Sequence, residues 1–507
     1  MRHLAKTSID HTHANSTVKN LPVINAKPVE HEARHLLKMA DDIILNIPET
    51  AKLFSSWREE VHALIGDPIR ETVCGESELD RLSMKLRGNW MKIAHAHSDP
   101  HLKSPLQGSK IRFPMGERSK HTYERLISPK SLEERCEKYR PTPHGWRSRH
   151  MLFRSGMAAI TAFLQNVRPH LFNEDHEPII LDFFGGYFES KRLFDLFSSP
   201  LFSFRRHASQ DQLLQAIEKS EGQLLFLEPV AYDWEMEALN LDKLHTALAS
   251  RKQMPRMIVL DTTIIGDTFP MKQFLSSLPG KPPPIVMQIS SGLKLDQEGL
   301  ELANVGIVSV FWSKAETEQK EAALTLSRKM RQNRKITGTG LSVDEIALLD
   351  APWFLNLSSF KMHCRSIFEN NRRLAAALSP IVAASNGGFT HVSHPSLSES
   401  AHFPWAVAPF VVLHLHEELD NEENHARLIT LLLKKSQINN LGFGEGMSFG
   451  FRSHRFEIIQ PNSVFHPNGR AKGVLKVAMG CRQGPIRDEI IHILTTIAKS
   501  SKIPDDI

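Results

Sequence analysis

Two side chains in this sequence, an amine and a carboxylate, stand at the ends of apolar runs where their chemistry could be used. Ser290-Ser291-Gly292-Leu293-Lys294 closes the run Ile285-Val286-Met287-Gln288-Ile289, which reads as a buried strand. A lysine delivered by such a strand end has partly dry surroundings. These favour its neutral amine and hence attack on an aldehyde. Upstream, Met257-Ile258-Val259-Leu260 reads as a second strand and ends in Asp261-Thr262-Thr263. An aspartate there is placed to pair with a protonated ring nitrogen while the lysine holds the same ring covalently. The pair predicts a site more strongly than either residue alone.

The elements that would position this pair follow from the patterning between residue 151 and about 312. Ile179–Phe184, Phe202–Arg205, Leu224–Leu227 and Val305–Phe311 read as further strands, with helical stretches such as Asp211–Lys219 and Leu241–Ala249 between several of them. Strand and helix alternating in this way predict a mostly parallel sheet covered on both faces. Ligands in such sheets sit at the carboxyl ends of the strands, where Asp261 and Lys294 both fall. Ser155-Gly156-Met157 opens a helix, which on its own reads as an ordinary capped helix start.

Either side of this region the pattern changes. Residues 28–66 show a 3.6-residue apolar period interrupted at Pro48, and a second helix is expected over Glu76–His97. Lys103–Arg154 is basic, with thirteen Lys or Arg against five Glu, and reads as an irregular surface segment. After about 325, a long helix over Leu348–Leu378, strands at Ala408–Leu415 and Gly473–Gly480, and helices at Asn424–Lys435 and Asp488–Lys499 suggest a smaller α+β domain. The expected division is a helical N-terminal extension with a basic linker (1–150), a large α/β domain (151–325) and a small C-terminal α+β domain (326–507).

Composition excludes several classes. The 507 residues are 41% hydrophobic and 23% charged, as in ordinary globular proteins. A net charge of +5 is small against 62 basic and 57 acidic side chains, so nucleic acid is not an expected partner. Cys74, Cys136, Cys364 and Cys481 are scattered without CxxC spacing, which argues against a disulfide framework or structural zinc. His3, His11 and His13 lie in a polar N-terminal stretch read as a solvated tail, and no metal site is expected. No apolar run has membrane-spanning length, and the first twenty residues lack the apolar core of a secretory signal. The expectation is a cytoplasmic protein with no membrane association.

Four motifs now stand in order: Arg154-Ser155-Gly156-Met157-Ala158-Ala159-Ile160, Phe184-Gly185-Gly186-Tyr187, Asp261-Thr262-Thr263 and Ser291-Gly292-Leu293-Lys294. In order and spacing they resemble the cystathionine γ-synthase-like enzymes of Cys/Met metabolism, over residues 151 to about 500. That resemblance implies a fold-type I α/β architecture and pyridoxal 5'-phosphate as cofactor. It implies that Lys294 forms the internal aldimine and moves protons, that Asp261 holds the ring nitrogen, and that Ser155, Gly156, Met157 and Ser291 hold the phosphate. Phe184 would stack on the ring where the family has tyrosine. Tyr232, in Glu228-Pro229-Val230-Ala231-Tyr232-Asp233, would replace an asparagine that bonds the cofactor's phenolic oxygen. Leu293 stands where the family has threonine, and Lys476 where it has the arginine of an Arg-x-Ser-x-Gly motif. Arg455, or else Arg452, is the expected clamp for the substrate carboxylate.

The implied activity acts on an amino acid through an external aldimine and quinonoid, with β- or γ-elimination or replacement at a sulfur or activated oxygen leaving group. S-Adenosylmethionine is one variant of such a substrate. An aminotransferase and a non-catalytic cofactor-binding regulator are the alternatives. The family also implies a homodimer or dimer of dimers, with Tyr139, Arg140, Arg147 and Arg149 as candidates for a phosphate contact from the neighbouring subunit.

Overall fold

The computed structural model describes residues 27–98, 100–116, 118–172, 178–220, 222–233, 235–280, 283–459 and 473–500. The N-terminal stretch with His3, His11 and His13 lies outside the described residues. The chain starts with three helices, α1 (Pro28–Asn46), α2 (Ala51–Gly66) and α3 (Val73–Ser98). A two-stranded hairpin follows, β1 (Ser109–Arg112) and β2 (Arg118–His121), and then α4 (Lys130–Tyr139). Pro48 separates α1 from α2 by opening a single 3-10 turn, as a residue without an N–H does at a helix start.

The large sheet has seven strands: β3 (Trp146–Phe153), β4 (Ile179–Phe184), β5 (Phe202–His207), β6 (Leu224–Leu227), β7 (Met257–Asp261), β8 (Ile285–Ser291) and β9 (Gly306–Ser313). Their spatial order is β3-β9-β8-β7-β6-β4-β5. Strands β8, β7, β6, β4 and β5 are mutually parallel, and β9 runs against both of its neighbours. The sheet is mostly parallel, and helices cover both faces. Helix α5 (Gly156–Leu171) and the helix Thr317–Thr337 bury one face through Phe163, Val167 and Leu326; Leu213, Leu244 and Phe274 bury the other.

Strand β3 begins at Trp146, within the stretch that the sequence assigns to a basic linker. Its first half is largely exposed at the sheet edge and its second half is buried. Trp-Arg-Ser-Arg therefore carries no apolar signal although it pairs with β9 along its whole length. A boundary at residue 150 falls inside this strand.

The C-terminal sheet is formed by β10 (Phe389–Ser393), β11 (Val411–Leu415), β12 (Gly444–Glu445), β13 (Arg455–Ile459) and β14 (Val474–Ala478), ordered β10-β11-β14-β13-β12. It packs on helices Leu357–Ala384, Glu422–Ile438 and Pro485–Lys499. The N-terminal helices share a hydrophobic cluster with the chain just past Lys294, through Leu295, Leu300 and Leu302, and with residues 341–368. No helix among the described residues is long and apolar enough to cross a membrane.

Candidate active site

Parallel strands place their carboxyl ends on one edge of the sheet, and the chain there leaves a cavity of about 800 Å³. Ser155, Gly156, Met157, Tyr187, Glu228, Tyr232, Asp261, Thr263, Ser291, Lys294 and Lys476 all line it. Strands β7 and β8 are paired with Asp261 opposite Ile289, so the two tips that carry the aspartate and the lysine are neighbours. Thr263 joins them: its hydroxyl accepts the Ser291 N–H at 3.0 Å, and its own N–H donates to Asp261 Oδ1 at 3.0 Å.

At the start of α5, the Ser155 side chain accepts from the Ala158 N–H at 3.0 Å and caps the helix. A Cβ on Gly156 would stand 3.4 Å from the Ser291 Cβ, so the helix start lies against the tip of β8. The N–H groups of the first turn, left without intrahelical partners, and the Ser291 hydroxyl therefore meet on one wall.

Lys294 is half-buried and donates to the Ser448 hydroxyl. Its amine stands 5.7 Å from the centre of the Phe449 ring. Burial, followed by the Lys476 charge, lowers its pKa to about 8, which raises the neutral, nucleophilic fraction near neutral pH. Asp261 has the opposite problem. Burial raises its pKa, and only Thr263 opposes that. No ion pair to Asp261 is seen among the described residues. A carboxylate so placed suits a cationic N–H, which a bound pyridinium supplies. The capped helix start, the lone aspartate and the depressed lysine together fit a phosphorylated pyridine aldehyde.

No protein-family model matches the chain, and no curated protein matches it. Solved structures do. The apo form of CalE6, a methionine γ-lyase from Micromonospora echinospora, aligns at 16% identity and a TM-score of 0.52, covering 75% of this chain and 89% of that one. Cystathionine γ-synthase from Xanthomonas oryzae pv. oryzae, in complex with aminoacrylate and cysteine, aligns at 15% identity and 0.54, covering 81% and 99%. Cystathionine γ-lyase from yeast aligns at 13% and 0.52, covering 81% and 98%. The chain has their fold. At these identities the likeness establishes the fold-type I architecture expected from the four motifs.

Within that fold, three residues expected at the site lie elsewhere. Phe184 does not line the cavity. It is the last residue of β4, 1% exposed, and its ring belongs to the core on one face of the sheet. The chain then turns through Gly185-Gly186, and the aromatic residue on the cavity wall is Tyr187, set edge-on to Tyr232 with ring centres 5.7 Å apart. Arg452 is 4% exposed and turned away from the cavity, where it pairs with Glu32 of α1 and donates to the Glu298 carbonyl at 2.8 Å. Arg455 pairs with Glu301 and stacks 3.9 Å from the Phe451 ring centre; it is not on the cavity wall. Lys476 is on that wall, paired with Glu457 directly across the β13–β14 ladder. Tyr139 and Arg140 are buried within their own chain, bonded to Asp296 and Asp267, and cannot reach another subunit's site. Arg147 and Arg149 are exposed on β3.

Glu228 is a cavity residue to which the sequence motifs assign no role. Buried at the end of β6, it accepts N–H bonds from Gly186 at 3.0 Å, Tyr187 at 3.2 Å and Tyr232 at 2.9 Å. Burial, then the Asp261 charge, pushes its pKa up to about 8. It ties the two turns that carry the cavity's tyrosines. The signal in the sequence was the Glu-Pro that ends an apolar run opposite Gly-Gly. A Cβ on Gly186 would lie 1.9 Å from the Tyr232 carbonyl oxygen. Gly186→Ala is therefore expected to cost about 1–3 kcal/mol as overpacking, and to displace both tyrosines. Urea unfolding alongside pyridoxal-phosphate titration checks this: both stability and affinity should fall.

Proposed function

We propose that this chain is a pyridoxal-phosphate enzyme acting on an amino acid, by β- or γ-elimination or replacement. The observation that carries the reading is the meeting of Lys294, Asp261 and the start of α5 on one cavity. The first-turn N–H groups at Gly156 and Met157, with Ser291, hold the phosphate. Asp261 would hold the ring nitrogen, Tyr187 would offer an aromatic face, and Tyr232 brings a phenol to the same cavity. The bound cofactor supplies an electron sink for charge developing at the substrate's α carbon.

Lys294 then has two tasks, set by its environment. Its depressed pKa leaves a free amine that would hold the cofactor. The same amine is a base of suitable strength to take the substrate's α proton and to return one. Ser448, bonded to its amine, orients it. Lys476, buried among Tyr232, Phe410 and Phe449 and paired with Glu457, presents both a donor and an acceptor to the substrate's polar end.

The cavity walls support one substrate class over others. Glu189, Glu445 and Glu457 line the cavity beside a single cation besides Lys294, namely Lys476, among the described residues. That balance supports a substrate carrying positive charge, so a sulfonium amino acid such as S-adenosylmethionine, with its thioether leaving group, is the preferred variant. A homodimer is proposed with this reading. Borohydride reduction of the protein with pyridoxal phosphate, followed by peptide mapping, tests it. A reduced pyridoxyl adduct on Lys294 is expected, and its absence refutes the reading. Sulfonium amino acids should then release their thioether faster than uncharged thioether amino acids release their thiol.

A further inference from the structure

Lys294 is followed by a loop whose backbone is held in an unusual shape. Glu298 and Glu301 have φ of 54° and 48°, and Gly299 between them 68°. Left-handed conformations are unfavourable for residues with a Cβ and persist where the surroundings over-determine them. The surroundings here come from the N-terminal helices. Arg87 of α3 donates to the carbonyls of Leu300 at 2.7 Å and Glu301 at 3.1 Å. Tyr139 of α4 donates to Asp296, and His35 of α1 lies 3.2 Å from the Glu298 carboxylate.

A second loop interlocks with the first. Ser448, the partner of the Lys294 amine, has φ of 78°. A Cβ on Gly450 would lie 2.0 Å from the Lys294 carbonyl oxygen, so the two backbones are in close contact. His363 bonds the Gly450 carbonyl at 2.9 Å. Arg452 joins all three parts: it donates to Glu298 in the lysine loop, pairs with Glu32 of α1, and itself belongs to the second loop.

We infer that the N-terminal helices position the reactive amine in cis, with Arg452 and Arg87 as the positioning residues that fix the lysine loop against α1 and α3. The inference rests on the role proposed above for Lys294, but its test needs no cofactor. The groups facing the amine are Lys476, Glu189, Glu301 and Glu457, together with the Ser448 hydroxyl and Phe449 ring. Of these, Glu301 is itself held by the loop. Loosening the loop admits water to the amine and lets its affinity for protons rise.

Competitive acetylation of the full-length apoprotein across pH, read at Lys294 by mass spectrometry, gives the midpoint of the amine directly. It should lie near 8 in the wild type. Arg87→Met removes two bonds to the loop without emptying a buried ion pair, and Arg452→Lys keeps the charge but not the fork. Both are expected to raise the midpoint by roughly one unit toward the ordinary lysine value of about 10.4, with circular dichroism unchanged. Arg34→Met, which breaks an exposed pair with Glu30 on α1, should leave it in place. A lower melting temperature with an unmoved midpoint in both loop variants would mean that these arginines only hold the fold together, and would overturn the inference. A missing pyridoxyl adduct in the wild type refutes the cofactor reading instead, and leaves the acetylation midpoint to judge this one.

Discussion

Replacing Lys294 with alanine is expected to abolish the borohydride-trapped adduct and to lower turnover by about a thousandfold or more, because a positioned acid–base group alone contributes about 10²–10⁴. Lys294→Arg should be equally inactive. Arginine keeps the charge but has no free amine at any accessible pH. The apoprotein should respond in the opposite sense. The folded state holds the Lys294 proton less tightly than the unfolded chain does, since its pKa is lowered to about 8. The charged lysine therefore costs stability below that value, and the cost fades as pH rises towards the unfolded pKa. Lys294→Ala should melt higher than wild type at pH 6, by a margin that shrinks at pH 9. Thermal melts at the two pH values, with turnover measured on the same samples, check both halves. A variant that loses activity and stability together would mean that the lysine supports the fold.

Asp261→Asn carries the second large effect. The carboxylate is half-buried, with its pKa raised by desolvation and no cation beside it among the described residues. In the folded state it binds its proton more tightly than in the unfolded chain. Stability is therefore lost as pH rises through the unfolded aspartate range and on to the folded pKa. Asparagine removes that cost, so the apo variant should be more stable than wild type at neutral pH. With cofactor present the order reverses. A charged hydrogen bond is worth about 1.5–3 kcal/mol, so pyridoxal-phosphate affinity should fall roughly 10–100-fold in the variant. Calorimetric titration and a melting curve with and without cofactor separate these outcomes. Equal affinity in the two proteins would remove Asp261 from the site.

The large sheet was readable because its central strands are buried on both faces and so appear as unbroken apolar runs. The same property exposed their tips, and with them Asp261, Ser291 and Lys294. The edge strand β3 was not readable, because half of it faces solvent and its residues alternate with arginines. Phe184 and Tyr187 show how a turn defeats a motif. The motif puts an aromatic next to the glycines, but Phe184 packs in the core and the ring on the cavity wall arrives three residues later, past Gly185-Gly186. Arg452 and Arg455 lie off the cavity wall for another reason. An arginine's partner is decided by tertiary contacts, and Glu32 and Glu301 come from parts of the chain far away in sequence. Glu422–Ile438 starts at its cap Asn421 rather than at Asn424, whose N–H the cap accepts. Two asparagines three residues apart give the same local signal, and only the hydrogen bond distinguishes them.

The hydrophobic cluster that α1, α2, α3 and α4 share with Leu295, Leu300 and Leu302 bears on how this chain can be dissected or recombined. Among the described residues, the cluster runs without a break from these helices to the turn after Lys294. A fragment cut at residue 151 would open a greasy wound directly beneath the lysine turn, and would leave β9 paired to a stub. Grafting these helices onto another member of the fold would need the matching underside to travel with them. The N-terminal helices and the turn after Lys294 are one packed unit.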